Sequence, residues 1–104
     1  MPVTAIGGTQ VHIDAEGFLT EYDEWSEDLA PLLAAAIDIE LTDAHWKAIR
    51  FLREDFKTQG ETATIRRVTT VGGIPTKDLF TLFPKKPAKK MAYIAGLPKP
   101  HGCV

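Results

Sequence analysis

The sequence predicts a mainly helical α+β protein, with a small antiparallel β-meander at its N-terminus and an extended, proline-rich arm at its C-terminus. Two short β-favouring runs flank a Gly-Gly pair near the N-terminus, and apolar residues then recur at helical spacing. Two prolines, one residue apart, follow the last helical segment. With 104 residues, the chain is long enough for one domain and too short for two.

The N-terminal meander is predicted by two runs, Val3–Ile6 and Thr9–Ile13, on either side of Gly7-Gly8. A Gly-Gly pair readily supplies the positive φ angles of a tight hairpin turn. Asp14–Gly17 has the composition of a second turn, and Phe18-Leu19 could then add a third short strand. We therefore expect a small meander rather than a large sheet.

Two amphipathic helices are predicted after the meander. Apolar residues recur at helical spacing over residues 25–37, and Ser26 and Asp28 are alternative N-caps between which the sequence does not decide. The second helix is predicted to follow the capping residue Thr42 and to end at Gly60. This second helix has the clearest pattern in the chain.

The second half of the chain is less uniform. Residues 62–71 are rich in β-branched side chains, so propensity alone favours a strand there. Thr76 is expected to cap a short apolar helix that runs through Phe83. Pro87 is well placed as the first residue of a final helix, and Gly96 as its left-handed terminator.

Most chemistry-bearing residues outside the C-terminus are predicted to be structural. The large aromatic side chains sit at amphipathic positions, which is typical of core packing rather than of ligand stacking. They are Trp25, Trp46, Phe51, Phe56, Phe80 and Phe83. His12 and His45 lie in a predicted strand and helix, where a hydrogen-bonded structural role is expected. We expect no metal site and no cofactor, because the chain has one cysteine and its histidines show no recognisable ligand spacing.

The sequence lacks several patterns that would indicate a particular compartment or reaction class. No apolar run approaches the about 20 residues of a membrane-spanning helix, and the N-terminus lacks a secretory signal pattern. A single cysteine cannot form an intrachain disulfide and fits a reducing compartment. We therefore expect a cytoplasmic protein without a membrane partner. No acid pair, glycine-rich phosphate loop or Ser/His/Asp arrangement indicates a hydrolase or kinase.

Charge is distributed unevenly along the chain. Residues 1–61 carry thirteen acidic and four basic side chains, a net charge of −9, whereas residues 62–104 carry one acidic and eight basic side chains, a net charge of +7. The side chains expected to form a basic patch for a partner or an anion are Arg66, Lys85, Lys86, Lys89 and Lys90. Such a patch can bind nucleic acid, an acidic partner protein or an anionic intermediate, or it can be a solvated face.

The residues after the last predicted helix form a separate segment. We divide the chain into a globular domain of residues 1–95 and a flexible C-terminal arm of residues 96–104. Pro98 and Pro100 favour the extended polyproline conformation and are expected to stiffen the arm.

The arm carries Cys103 as its penultimate residue, where burial would require the whole terminus to be held in place. Lys99 and His101 lie beside it, and positive charge near a thiol favours the reactive thiolate. Gly96 and Gly102 are candidate hinges, and an extended arm from Gly96 would carry the thiol roughly 20 Å. A lone terminal cysteine is more often unreactive, and the proline-flanked setting strengthens the case for a sulfur carrier without reversing that preference.

A different class of function is suggested by the middle of the chain. The helix over residues 43–59, the turn at Gly60 and a following segment with Arg66 and Arg67 have a layout like helix-turn-helix. Direct nucleic-acid binding by a regulator is therefore another hypothesis, although such helix pairs are also common in helical cores.

The terminal run from Ala95 to Val104 closely resembles the ending of the DsrC/TusE family, whose arm finishes in a penultimate reactive cysteine. The resemblance covers nearly the whole chain. Its other matching residues are Glu16-Gly17-Phe18-Leu19, Trp25, Leu41-Thr42, His45-Trp46, Arg66, Leu82-Phe83-Pro84 and Pro87-Ala88-Lys89.

The resemblance implies a β-meander packed against an array of about five helices, with residues 63–71 helical, and we prefer this to the strand. It also implies sulfur trafficking. The chain would be a sulfurtransferase-type carrier that holds sulfur as a persulfide on Cys103 and acts with partner enzymes.

The resemblance also implies which partners to expect. DsrC-type members use a second cysteine, eleven positions before the penultimate one, with dissimilatory sulfite reductase; this sequence has Ala92 there. The chain therefore resembles the single-cysteine TusE type, which accepts sulfur from a TusBCD-like complex and passes it to the enzyme that thiolates the tRNA wobble uridine. A sulfite reductase partner or another sulfur-oxidation relay remains the alternative.

Overall fold

A computed structural model of the protein describes residues 3–100. Within that range the chain forms two strands and five α-helices, with a single 3-10 turn at Tyr22–Glu24. The elements are β1 (Val3–Ile6), β2 (Thr9–His12), α1 (Leu29–Ala36), α2 (Asp43–Gln59), α3 (Ile65–Thr70), α4 (Thr76–Leu82) and α5 (Pro87–Ile94). The predicted fold class, mainly helical α+β, is confirmed.

The N-terminal strands form the expected hairpin. β1 and β2 pair antiparallel with Ile6 opposite Thr9, and Gly7 and Gly8 have φ angles of 58° and 85° at the turn. The predicted third strand is reduced to one bridge between Ile13 and Leu19. The chain cannot extend this pairing because it enters the 3-10 turn two residues after Thr20.

The 3-10 turn is joined to the hairpin through Glu24. The backbone N–H of His12 donates to Glu24 Oε1 and His12 Nδ1 bonds to Oε2, both at 2.7 Å. The carboxylate therefore closes the edge of β2, in agreement with a structural role for His12.

The first helix starts at the later of the two candidate N-caps. Its N-cap is Asp28, and the N–H of Leu29 donates to the carbonyl of Ser26 at 3.0 Å, so residues 26–28 form a turn ahead of the helix. Pro31 then lies in the first turn, where its missing N–H has no intrahelical partner to lose. Of the two N-caps that the sequence left open, the structure therefore has Asp28, and Trp25 lies outside the helix.

The longest helix, α2, has both predicted ends, with Thr42 as its N-cap and Gly60 as a C-cap in the left-handed region at φ 73°. His45 connects the start of this helix to α4. The Thr42 N–H donates to His45 Nδ1 at 3.0 Å, and His45 Nε2 lies 2.7 Å from the carbonyl oxygen of Leu82, to which it donates. Both ring nitrogens therefore have partners, in agreement with a structural role.

Residues 65–70 are helical, so the strand favoured by propensity was wrong and the helix implied by the family resemblance is confirmed. Thr64 caps α3 by accepting from the N–H of Arg67 at 3.2 Å. Val68 is fully buried against the other helices. Capping and burial therefore outweigh the local preference of β-branched residues for strands.

The last two helices begin at prolines or next to them. Pro75 rather than Thr76 is the N-cap of α4, because Thr76 already has helical geometry and its hydroxyl bonds Thr69 Oγ1 at 3.0 Å. Pro87 is the first residue of α5, as predicted, and Gly96 follows its C-cap with φ 69°.

The core consists of two adjoining clusters of buried apolar side chains. The larger one lies among the helices and includes Ile49, Leu52, Phe83, Met91 and Ile94. The smaller one joins the hairpin to α1 through Val11, Leu19, Leu29 and Leu33. Trp25 and Tyr93 pack against both clusters. The prediction that Phe80 is a core residue was wrong, since it is 49% exposed on α4.

We expect Glu24→Gln to weaken the pH dependence of stability in acid. Hydrogen bonds from the backbone and side chain of His12 lower the pKa of Glu24 below its ordinary value of 4.5. A carboxyl group with a lowered folded-state pKa contributes stability above its unfolded pKa and loses it as pH falls through the folded value. The free energy of unfolding should therefore fall less between about pH 5 and about pH 3 in the variant than in the parent. Urea titrations at both pH values measure this, and equal losses in the two proteins would contradict it.

Candidate functional site at the root of the C-terminal arm

The predicted sulfur carrier, Cys103, and its neighbours His101 and Gly102 lie outside the described residues. The structure does describe residues 96–100, which we call the arm root. These five residues determine where the cysteine-bearing end of the chain leaves the domain, so the site is built from here.

The arm root begins with a tight C-terminal cap on α5. The N–H of Leu97 donates to the carbonyl of Ala92 at 3.0 Å, and the N–H of Gly96 donates to that of Tyr93 at 3.3 Å. This pair of bonds is the Schellman motif, which needs a residue in the left-handed region at Gly96. Leu97 is fully buried in the larger core cluster.

Gly96 is also pressed against Trp25. A Cβ atom at position 96 would lie 2.4 Å from Trp25 Cδ1 and 2.7 Å from Cγ. The indole is itself held in place, because its Nε1 donates to the carbonyl oxygen of Ile94 at 2.8 Å. Only glycine satisfies both the backbone angle and the space at this position.

Two further contacts hold the residues after Leu97. The hydroxyl of Thr62, which is buried, donates to the carbonyl oxygen of Pro98 at 2.7 Å. The Lys99 ammonium lies 3.3 Å from Glu16 Oε1, on the turn after the hairpin. Pro100 is buried. The arm root is therefore tied to the body of the protein at both ends and through these two contacts, although Pro98 and Lys99 are themselves exposed.

Arg53 of α2 also stabilises the C-terminal end of α5, next to Gly96. Its guanidinium donates to the carbonyl oxygens of Ala95 at 2.7 Å and Tyr22 at 3.0 Å. It also lies 3.9 Å from the ring centroid of Tyr22 and 4.1 Å from that of Trp25. Burial lowers the pKa of Arg53 from its ordinary value. The sequence did not reveal this residue, because an arginine on an amphipathic helix looks like part of the solvated face.

Four of the five residues of the predicted basic patch come together. Lys85, Lys86, Lys89 and Lys90 line an open pocket of about 460 Å³, which we call the lysine pocket. Arg66 lies on α3 and does not line it.

The floor of the lysine pocket is apolar. Phe18, Ile37 and Tyr93 form it, and the rings of Phe18 and Tyr93 meet edge to face with centroids 5.9 Å apart. Glu16, the partner of Lys99, stands in the pocket wall. The pocket therefore adjoins the arm root, because one of its wall residues is the ion-pair partner of Lys99.

One of the two arginines behind the helix-turn-helix interpretation is paired with a carboxylate of this protein. Arg67 donates three hydrogen bonds of 2.7 to 3.0 Å to the carboxylate of Asp55, whose side chain is 5% exposed. These bonds raise the pKa of Arg67. The arginine therefore joins α3 to α2, and its charge is already paired with a carboxylate.

The comparisons with known proteins agree with this architecture. The model of the family described as DsrC like protein matches residues 5–104. "Sulfurtransferase TusE" of Photorhabdus laumondii is 41% identical, over 93% of this chain and 94% of its own length. "Sulfurtransferase TusE" of Salmonella paratyphi A is 38% identical, over 93% of this chain and 95% of its own length.

Solved structures share the fold. The NMR structure of DsrC from Allochromatium vinosum has a TM-score of 0.81 and 36% identity, covering 98% of this chain and 97% of that one. The crystal structure of dissimilatory sulfite reductase I (DsrI) has a TM-score of 0.84 and 31% identity, covering 99% and 100%.

The fold and the site define a small helical α+β protein whose residues 96–100 are held against its body shortly before a penultimate cysteine. The chain belongs to the DsrC-like family. Within residues 3–100 there is no helix both long enough and apolar enough to span a membrane.

We expect Gly96→Ala to destabilise the protein by about 2 to 5 kcal/mol, since it adds overpacking against Trp25 to the strain of a left-handed alanine. Gly60→Ala is the matched control. Gly60 has a similar φ of 73°, but a Cβ atom there would meet nothing within 4 Å. It should cost only about 1 to 2 kcal/mol. Urea denaturation measures both, and equal losses would show that the contact with Trp25 does not constrain position 96.

Proposed function

We propose that the protein is a sulfur carrier that holds sulfur as a persulfide on Cys103 and relays it between partner proteins. The observation that carries this proposal is a family match that runs to residue 104 and so includes the penultimate cysteine. The relatives named sulfurtransferase, which match over nearly the whole of both chains, support the same activity.

The loading step needs no oxidant. The Cys103 thiolate attacks the outer sulfur of a persulfide on the donor, a new S–S bond forms at Cys103, and the donor's S–S bond breaks. The donor leaves as its cysteine thiolate, so the sulfur moves without a net change in redox state. In this proposal Lys99 and His101 favour the thiolate and the persulfide anion through their positive charge.

Unloading is the same exchange in the opposite direction, onto an acceptor. We propose a TusBCD-like complex as donor and an enzyme that thiolates tRNA as acceptor, because the sequence relatives carry the name TusE. The protein would then work together with enzymes rather than complete a reaction by itself.

A second candidate is favoured by the structural comparisons, because the similar structures are of DsrC and of dissimilatory sulfite reductase I. A carrier of that kind would pair two cysteines of one chain. Position 92 is occupied by a buried alanine on α5, where no thiol is available. The single-cysteine relay is therefore the leading proposal, and a sulfur-oxidation relay that uses Cys103 alone is the alternative.

The movement of the C-terminal arm is also part of this proposal. We expected Gly96 to act as a hinge, but its contacts with Trp25 favour a fixed position, so we propose that movement of the thiol begins beyond Pro100. Gly102 is then the glycine left to act as a swivel, and Pro98 and Pro100 hold the direction in which the chain leaves.

Incubation with a persulfide donor should add about 32 Da, the mass of one sulfur atom, to the intact protein. The added mass should map to Cys103 in a peptide digest, because the thiolate is the attacking group. Mass spectrometry of the intact chain and of its peptides measures this.

Cys103→Ser is the matched control and should remain unloaded. Loading of that variant to the same extent would exclude the carrier mechanism. Transfer from the loaded protein to a tRNA-thiolating enzyme, compared with turnover by a sirohaem sulfite reductase, separates the two relays. Dependence of the reductase on Cys103, with no transfer to the thiolating enzyme, would favour the second candidate.

A further inference from the structure

The lysine pocket is defined by the geometry of the loop that precedes α5. The loop between α4 and α5 contains Pro84-Lys85-Lys86, and Pro87 then begins α5. Lys85 lies in the left-handed region with φ 72°. A non-glycine residue in that region is strained, and such strain is often found at functional positions. Lys90 closes the loop, because its Nζ donates to the carbonyl oxygen of Pro84 at 2.6 Å.

The loop presents charge next to an apolar surface. Lys85 and Lys86 are exposed, and Lys89 and Lys90 are half-buried at the pocket wall. Phe18, Ile37 and Tyr93 lie below them, so an occupant would meet ammonium groups at the rim and hydrocarbon at the floor. This combination fits a segment that carries carboxylates around an apolar side chain.

The same geometry argues against nucleic acid as the occupant. Phe18 is 2% exposed and Tyr93 meets it edge to face, so the aromatic rings offer no open face on which a base can stack. Arg66 lies elsewhere and Arg67 is bound to Asp55, so the basic groups do not form a stripe along which a phosphate backbone could run.

The pocket also lies where a partner must bind. Glu16 is part of its wall and pairs with Lys99 of the arm root. From Pro100, three residue steps remain to Cys103, and an extended chain covers at most about 10 Å in three steps. A partner that exchanges sulfur with Cys103 has to place its own reactive atom within that distance, so it must cover the surface around the arm root.

We infer that the lysine pocket is the docking site for an acidic segment of a partner protein, with one apolar side chain seated between its carboxylates. This inference rests on the proposed carrier function, because it identifies the kind of partner surface that the relay requires. Docking there would align the partner's reactive sulfur with the end of the arm while leaving Cys103 free to react.

The test uses the full chain and a fluorescein-labelled peptide with three acidic residues on each side of one phenylalanine. Fluorescence polarisation should show saturable binding that weakens as salt is added. Backbone amide shifts in NMR spectra should change mainly at residues 85–93. Two control peptides, one with asparagine and glutamine for the acids and one with serine for the phenylalanine, should both bind more weakly.

Charge reversal of the two exposed lysines should locate the binding. Lys85→Glu combined with Lys86→Glu should weaken the peptide's affinity at least about tenfold, because two attractive charges become repulsive. The matched control, Lys47→Glu with Lys77→Glu, changes two exposed lysines outside the pocket and should stay within about twofold of the parent. Circular dichroism checks that both variants are folded.

The outcomes separate this inference from the carrier function. Cys103→Ser should bind the peptide normally, and the Lys85/Lys86 variant should still be loaded by a small-molecule polysulfide. Absence of peptide binding, or equal weakening in the two charge-reversal variants, would overturn the docking site and leave the carrier function standing. Preferential binding of a labelled single-stranded RNA at the same lysines would overturn the assignment to an acidic protein segment.

Discussion

The close contact between Gly96 and Trp25 is the constraint on which the rest of the site depends. A side chain at position 96 would collide with the indole, and the indole cannot move because it bonds the end of α5. The helix therefore ends at one place with one geometry, in a Schellman motif that sends Leu97 into the core. The direction of the C-terminal chain follows from this contact.

Separate parts of the protein converge on the residues that follow. α2 contributes Arg53 to the carbonyl of Ala95, the segment before α3 contributes Thr62, and the turn after the hairpin contributes Glu16. These groups are far apart in the sequence. Arg53 and Thr62 pair with polar atoms in buried surroundings, where an unpaired group would be costly, whereas the ion pair of Glu16 with Lys99 is exposed. For the proposed carrier, this arrangement means that the body of the protein fixes the position of residues 96–100, from which the chain continues to Cys103.

Charge in this protein acts locally rather than through its net value. Four lysines, two in the loop before α5 and two in α5 itself, line a pocket with apolar side chains, whereas Arg67 is paired with the buried carboxylate of Asp55. Counting basic residues along the chain could not separate these two cases, because both kinds of residue contribute equally to the sum. Position relative to a carboxylate determines whether a cation is available to another molecule.

The sequence by itself determined the elements whose signals are local. These include the Gly7-Gly8 hairpin, the ends of α2 at Thr42 and Gly60, the start of α5 at Pro87 and the terminal run that carries Cys103. Only the tertiary structure decided what depends on partners distant in the sequence: the burial of Val68 that offsets the strand propensity of α3, the exposure of Phe80 and the hydrogen bond from Arg53 to Ala95. The physical reason is that turn and cap geometries are set by neighbouring residues, whereas burial and long-range hydrogen bonds exist only once the elements have packed together.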